Sequence, residues 1–214
     1  WWAGDHRAAL VRHHEALVID RRLDDLSGQA KTLTHLGFIR CRGGAPDTAV
    51  WHHEEALGLY RGLADDWGAN RNLTGLGDAC RQLGRRDEAL RHLRAAATLS
   101  RRVKDHWGHT IACNGLGFVH LDAGRAERAH RHFTRAIGLT AATGDHRSAA
   151  VANVGLGRVH LALGHRERAA ELFTEGLALS RQAGDCWNEE MATTGLRATV
   201  ESPAKSSKRV EHGA

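Results

Sequence analysis

Two stretches carry side chains that bind metals or move protons, His13-His14-Glu15 and His52-His53-Glu54. A zinc site needs ligands that converge on one point, and the helical zinc signature places two histidines four residues apart around a glutamate. Adjacent histidines on a helix diverge by about 100°, and neither stretch extends to His-Glu-x-x-His, so no metal is assigned. His109 and Cys113 stand one helical turn apart, but two ligands do not close a site. Cys41, Cys80, Cys113 and Cys186 lack the C-x-x-C spacing of a redox or zinc pair, which points to buried, inert thiols. Gly115-Leu116-Gly117 has the G-x-G form of a phosphate-binding turn. It recurs at Gly75-Leu76-Gly77 and Gly155-Leu156-Gly157, so it reads as packing inside a helix. Neither a phosphate-loop nor a nucleophile-elbow motif is present. The chain is therefore expected to be no enzyme and to need no cofactor.

Composition narrows the class further. The 214 residues carry 30 Lys and Arg against 25 Asp and Glu, a formal charge of +5. No apolar run reaches the ~18 residues of a membrane span, so no membrane partner is expected. Basic residues are interleaved with acids, as in Arg85-Arg86-Asp87-Glu88, a pattern typical of salt-bridged helix surfaces. Nucleic acid is thus the weaker alternative for a partner. The chain opens on Trp1-Trp2 and its one methionine is Met191, so it reads as a piece of a longer protein.

The elements that position these residues repeat at 40. Gly4, Gly44, Gly84, Gly124 and Gly164 form one column; Ala9, Ala49, Ala89, Ala129 and Ala169 form another. Asp25, Asp65, Asp105, Asp145 and Asp185 form a third, and Leu36, Leu76, Leu116, Leu156 and Leu196 a fourth. A glycine column at 75, 115, 155 and 195 is broken by His35, and one at 37, 77, 117 and 157 by Arg197. Ala89, Leu93, Ala96, Ala97 and Leu99 give the stripe of an amphipathic helix. A second stripe, Ala112, Leu116 and Val119, lies upstream of the next. Two helices per unit follow. The Asp column suits helix N-caps and Pro46 suits a first turn. Glycine inside a helix costs about 0.5–1 kcal/mol relative to alanine, so Gly117 with Ala129 is expected to allow close backbone approach within a unit.

These columns resemble the tetratricopeptide repeat. The family pattern reads here as Cys113, Leu116, Gly117, His120, Gly124, Ala129, Phe133 and Ala136. One unit later it reads as Asn153, Leu156, Gly157, His160, Gly164, Ala169, Phe173 and Gly176. The standard unit has 34 residues, and its tyrosine is replaced by Arg40, Cys80, His120 and His160. The 40-residue form is similar to the repeat arms of large bacterial signal-transducing NTPases and transcription activators. The resemblance implies an all-α, right-handed solenoid of antiparallel helix pairs over 1–200. It places the second helix of a truncated unit at 5–23, full units at about 25–63, 65–103, 105–143 and 145–183, and a terminal helix at about 185–200. The remainder, 201–214, reads as a disordered basic tail. The truncated end is expected to expose Leu10, Leu17 and Val18.

The resemblance also implies a concave groove lined by the first helix of each unit, with a protein or peptide as partner and a cytoplasmic location. The groove candidates are Lys31, Thr34, Phe38, Arg71, Thr74, Asp78, Arg81, Asn114, Phe118 and Arg158. The family's carboxylate-clamp positions hold Thr34, Phe38, Thr74 and Asp78, so that activity is not expected. Self-association through the repeat ends is the structural alternative. The column Trp67, Trp107 and Trp187 is expected in the core between units. The column His52, His92 and His132 is expected on a solvated outer face.

Overall fold

The computed structural model describes residues 6–201; Trp1, Trp2 and the tail from 202 lie outside the described residues. The chain runs through α1 (His6–Arg22), α2 (Leu26–Arg42), α3 (Pro46–Gly62), α4 (Asp66–Gln82) and α5 (Arg86–Arg102). It continues through α6 (His106–Asp122), α7 (Ala126–Thr143), α8 (His146–Ala162), α9 (Arg166–Gln182) and α10 (Cys186–Val200). Among the described residues all regular structure is α-helical.

A turn every 20 residues sets this rhythm. Positive φ occurs at Asp24, Gly44, Ala64, Gly84, Lys104, Gly124, Gly144, Gly164 and Gly184, nine positions at equal spacing. The left-handed residue closes each helix C-terminus and turns the chain back. After every second turn an aspartate caps the next helix. Asp25 accepts from the Gly28 amide at 2.9 Å, Asp65 from Gly68 at 3.0 Å, and Asp105 from Gly108 at 2.8 Å. Asp145 and Asp185 do the same for Ser148 and Asn188. The helices between them, such as α5 and α7, have no side-chain cap and α3 starts on Pro46.

Ala64 and Lys104 hold φ of 54° and 56° in a conformation that suits glycine. A left-handed L-residue costs about 1–2 kcal/mol, and glycine gives back part of that in unfolded-state entropy. Ala64→Gly is therefore expected to stabilise the array by about 0.5–1 kcal/mol. A guanidinium denaturation midpoint that falls instead would contradict the turn analysis.

Packing between units follows from the paired glycines. The Phe133 ring of α7 lies between α6 and α8, against Gly117 on one side and Gly155 on the other. A Cβ at Gly117 would sit 2.6 Å from the ring's Cε1. The arrangement recurs: His53 lies between Gly37 and Gly75, Leu93 between Gly77 and Gly115, Phe173 between Gly157 and Gly195. In each Gly-Leu-Gly, the first glycine receives the previous unit's side chain and the second its own unit's. The expected backbone approach of Gly117 to Ala129 is thus corrected: the space left by glycine is filled by a ring. Both column breaks now have a cause. His35 faces His13 of α1 at 5.1 Å between ring centroids. Arg197 is exposed on α10, with no following described helix to fill its place.

α2, α4, α6, α8 and α10 each pack on the next member of that set. Among the described residues, α1, α3, α5, α7 and α9 make no such contacts with one another. The second set therefore splays outward and the array curves around the first. At the amino-terminal end Leu17 is buried at 4% exposure. Leu10 is half-buried, and the open apolar surface is Val11, Val18, Ile19 and Leu23. The expectation of an exposed Leu17 is corrected, because Leu17 joins the core formed by α2.

Candidate functional site

Each inner helix is covered on nearly every side and keeps one strip in solvent. On α4, Leu73, Leu76, Ala79 and Cys80 face other helices, while Trp67, Arg71 and Gln82 are exposed and Asp78 and Arg81 half-buried. Trp67, Arg71, Thr74, Asp78 and Arg81 stand at i, i+4, i+7, i+11 and i+14, which is one face of a helix. On α6 the strip is Trp107, Ile111, Asn114, Phe118 and Leu121; on α8 it is Arg147, Val151, Val154, Arg158 and Leu161. Since the inner helices lie on the concave side, these strips form the groove.

The groove candidates divide by depth. Lys31, Arg71 and Arg158 are exposed, and Phe38, Asp78, Arg81 and Phe118 half-buried. Thr34, Thr74 and Asn114 form the floor at 2%, 6% and 4% exposure. Their hydrogen-bond donors are spent on the fold, while Asn114 Oδ1 is buried without a partner among the described residues. Thr34 donates to the Ala30 carbonyl at 2.7 Å and accepts from Asn72 at 3.0 Å. Thr74 donates to the Arg71 carbonyl at 2.8 Å, and Asn114 to the Ser148 carbonyl at 3.0 Å.

Three units meet at the centre of the groove. Arg81 pairs with Asp78 at 2.8 Å and reaches Asp122 at 2.8 Å in the next unit. Arg158 approaches the same Asp122 at 3.9 Å from the unit beyond. Both guanidinium groups also lie over Phe118, at 5.7 and 5.6 Å from its centroid. Such cation–π pairs contribute about 0.5–2 kcal/mol each. Arg71 sits 5.4 Å over Phe38. Among the described residues neither Arg71 nor Lys31 forms an ion pair, so the exposed charge of the groove is positive at that end.

The tryptophans correct the sequence reading. Trp67, Trp107 and Trp187 are 57%, 44% and 47% exposed. They stand one turn before Arg71, Ile111 and Met191 and so belong to the groove rim. The spacing from Trp67 to Arg71 and Thr74 was a usable signal, and the weight given to tryptophan's hydrophobicity hid it. Arg42, at the end of α2, brings its guanidinium 5.9 Å from the Trp187 ring, four units away. Asp185 beside that ring takes Arg147 at 3.4 Å. The exposed tryptophans offer aromatic surface, and the interleaved carboxylates remain the ground against nucleic acid.

The histidine column is corrected as well. His52 is 3% exposed and its neighbour His53 is fully buried. His92 and His132 are half-buried, His132 stacking on His120 at 5.3 Å. His53 shares a 2.9 Å hydrogen bond with Asn72 Oδ1. Burial is the main cause that pulls His35, His52, His53 and His120 down to about 4. Cys41, Cys80 and Cys113 are buried and burial raises their thiols. Among the described residues no three histidine, cysteine or acidic side chains gather as a metal site.

The fold and the strip define a helical-repeat scaffold. The tetratricopeptide repeat model matches residues 69–142 and 109–182, together more than half the chain. The chain belongs to the tetratricopeptide repeat family. BtubC from P. vanneervenii is similar in structure, with a TM-score of 0.63 and 16% identity over 98% of this chain and 99% of its own. Aspartyl phosphate phosphatase F from Bacillus subtilis is similar at 0.68 and 16%, over 89% of this chain and 54% of its own. A Podosopora anserina kinesin light chain with nearly identical repeats is similar at 0.60 and 17%, over 85% and 89%. None of the curated proteins matches the chain.

Proposed function

We propose that this chain is a protein-binding scaffold whose concave strip takes an extended segment of a partner protein. The observation that carries this reading is the strip itself: the inner helices α4, α6 and α8 each present one line of side chains to the same concavity. Such a surface suits a peptide laid across several units. We place the chain as the interaction arm of a larger bacterial regulator in the cytoplasm. The arginine-, alanine- and glycine-rich composition suits a GC-rich bacterial genome and bears only on the bacterial part of that placement.

Arg71→Glu with Lys31→Glu tests the reading. Arg81 is unsuitable, because reversing it would break the bridge to Asp122. The double variant is expected to weaken capture of the partner at least about tenfold, near 1.4 kcal/mol, with no change in denaturation midpoint. Unchanged capture would remove the groove from the account. A second reading, self-association, has its own observation in the exposed Val11, Val18 and Ile19 of α1 and Leu23 just after it. Sedimentation that stays monomeric as concentration rises would dismiss it.

A further inference from the structure

Resting on the groove reading, we propose that the partner is an acidic segment with apolar side chains, anchored on Trp67 and Trp107. Both rings are exposed at equivalent places on adjacent inner helices. One turn on, Trp67 is followed by Arg71 and Trp107 by Ile111, so one anchor point is aromatic and cationic and the next aromatic and aliphatic. Tryptophan beside arginine is the composition of an interface hot spot.

The charges around these rings favour an anion. Asp66, beside Trp67, is engaged by Arg102 at 2.9 Å. Asp78 and Asp122 are held by Arg81. Lys31 and Arg71 carry exposed positive charge with no carboxylate bound among the described residues. Trp187 differs from the other two rings, since Arg42 lies over it and Asp185 stands beside it. That leaves Trp67 and Trp107 as the uncovered pair. A segment with a carboxylate toward Arg71 and an apolar side chain toward Ile111 complements both.

The test uses three probes on the purified chain: a synthetic peptide alternating glutamate and leucine, its lysine–leucine counterpart, and single-stranded oligothymidylate. Tryptophan fluorescence and calorimetry read binding. The acidic peptide alone is expected to bind, and Trp67→Ala with Trp107→Ala is expected to weaken it roughly tenfold or more. Circular dichroism of that variant is expected to match the parent, because both rings are exposed. Acidic-peptide binding that survives loss of both rings but falls on Arg71→Glu would overturn the anchors and leave the groove reading standing. Binding of the lysine peptide in preference, or of none of the probes, would overturn the acidic partner. Oligothymidylate binding that depends on both rings and falls steeply with salt would assign the site to nucleic acid instead.

Discussion

Acidification from neutral pH toward pH 4 is expected to unfold the array cooperatively. His35, His52, His53 and His120 are held near 4 against an ordinary 6.5, mainly by burial. The sign follows from proton counting. Below about 6.5 the unfolded imidazoles bind protons while the folded ones do not until about 4. The unfolded chain therefore binds more protons across that window, and stability falls as pH falls. Fully buried His53 contributes on the order of 3 kcal/mol to this loss, and half-buried His35 less. A domain with ~5–15 kcal/mol of stability does not survive several such terms. The groups facing His53 are Asn72, Asp78, Arg71 and the Phe38 ring. The Asp78 charge and the Asn72 bond favour the protonated form, yet burial outweighs both. Around His52 stand His14, Arg40, His53 and Arg21, all opposing protonation. His53→Leu separates this cause from general acid denaturation. Leucine occupies the equivalent place at Leu93, between Gly77 and Gly115. The variant costs about 1 kcal/mol at neutral pH through the lost Asn72 bond, and its acid midpoint moves to lower pH. Far-UV circular dichroism against pH reads both curves. Parent and variant unfolding at the same pH would dismiss the histidine account.

Phe133→Ala is expected to cost about 3–5 kcal/mol, at the upper end for a core aromatic. Phe133 is fully buried, and its two walls are Gly117 and Gly155, which have no side chains to move into the space. The cavity stays open because backbone forms both of these walls. The ring also bridges two units, so its loss weakens the coupling on which a solenoid's cooperativity rests. Phe118, in edge contact with Phe133 at 5.0 Å, would lose its support and shift the groove. Arg197→Gly is the control. It restores the glycine column where no described helix supplies a ring, so only the ordinary cost of glycine in an exposed helix is expected, about 1 kcal/mol or less. Urea denaturation of both variants compares them directly, and equal effects would refute the ring-between-glycines packing.

Much of the scaffold could be read in one dimension. The Asp column capped helices and the Ala and Leu columns filled cores because each unit presents the same local environment. The glycine columns were legible as a packing device but not as a socket. A socket has two walls 38 residues apart in the chain, as at Gly117 and Gly155, and a filler from the helix between them. His53 in that socket, beside Leu93 and Phe133, could have been found by aligning the column. The side chain's polarity hid it.

Periodicity by itself determined the helix pairs, their caps and their turns, because those depend on contacts within a few residues or with the adjoining unit. Tertiary structure alone decided which face of each helix stays wet. Curvature brings the inner helices together and leaves a single strip uncovered. Tryptophan ended there in solvent and histidine ended in the core, the reverse of what their hydrophobicities suggest. Exposure in a solenoid is set by how neighbouring units close around a position.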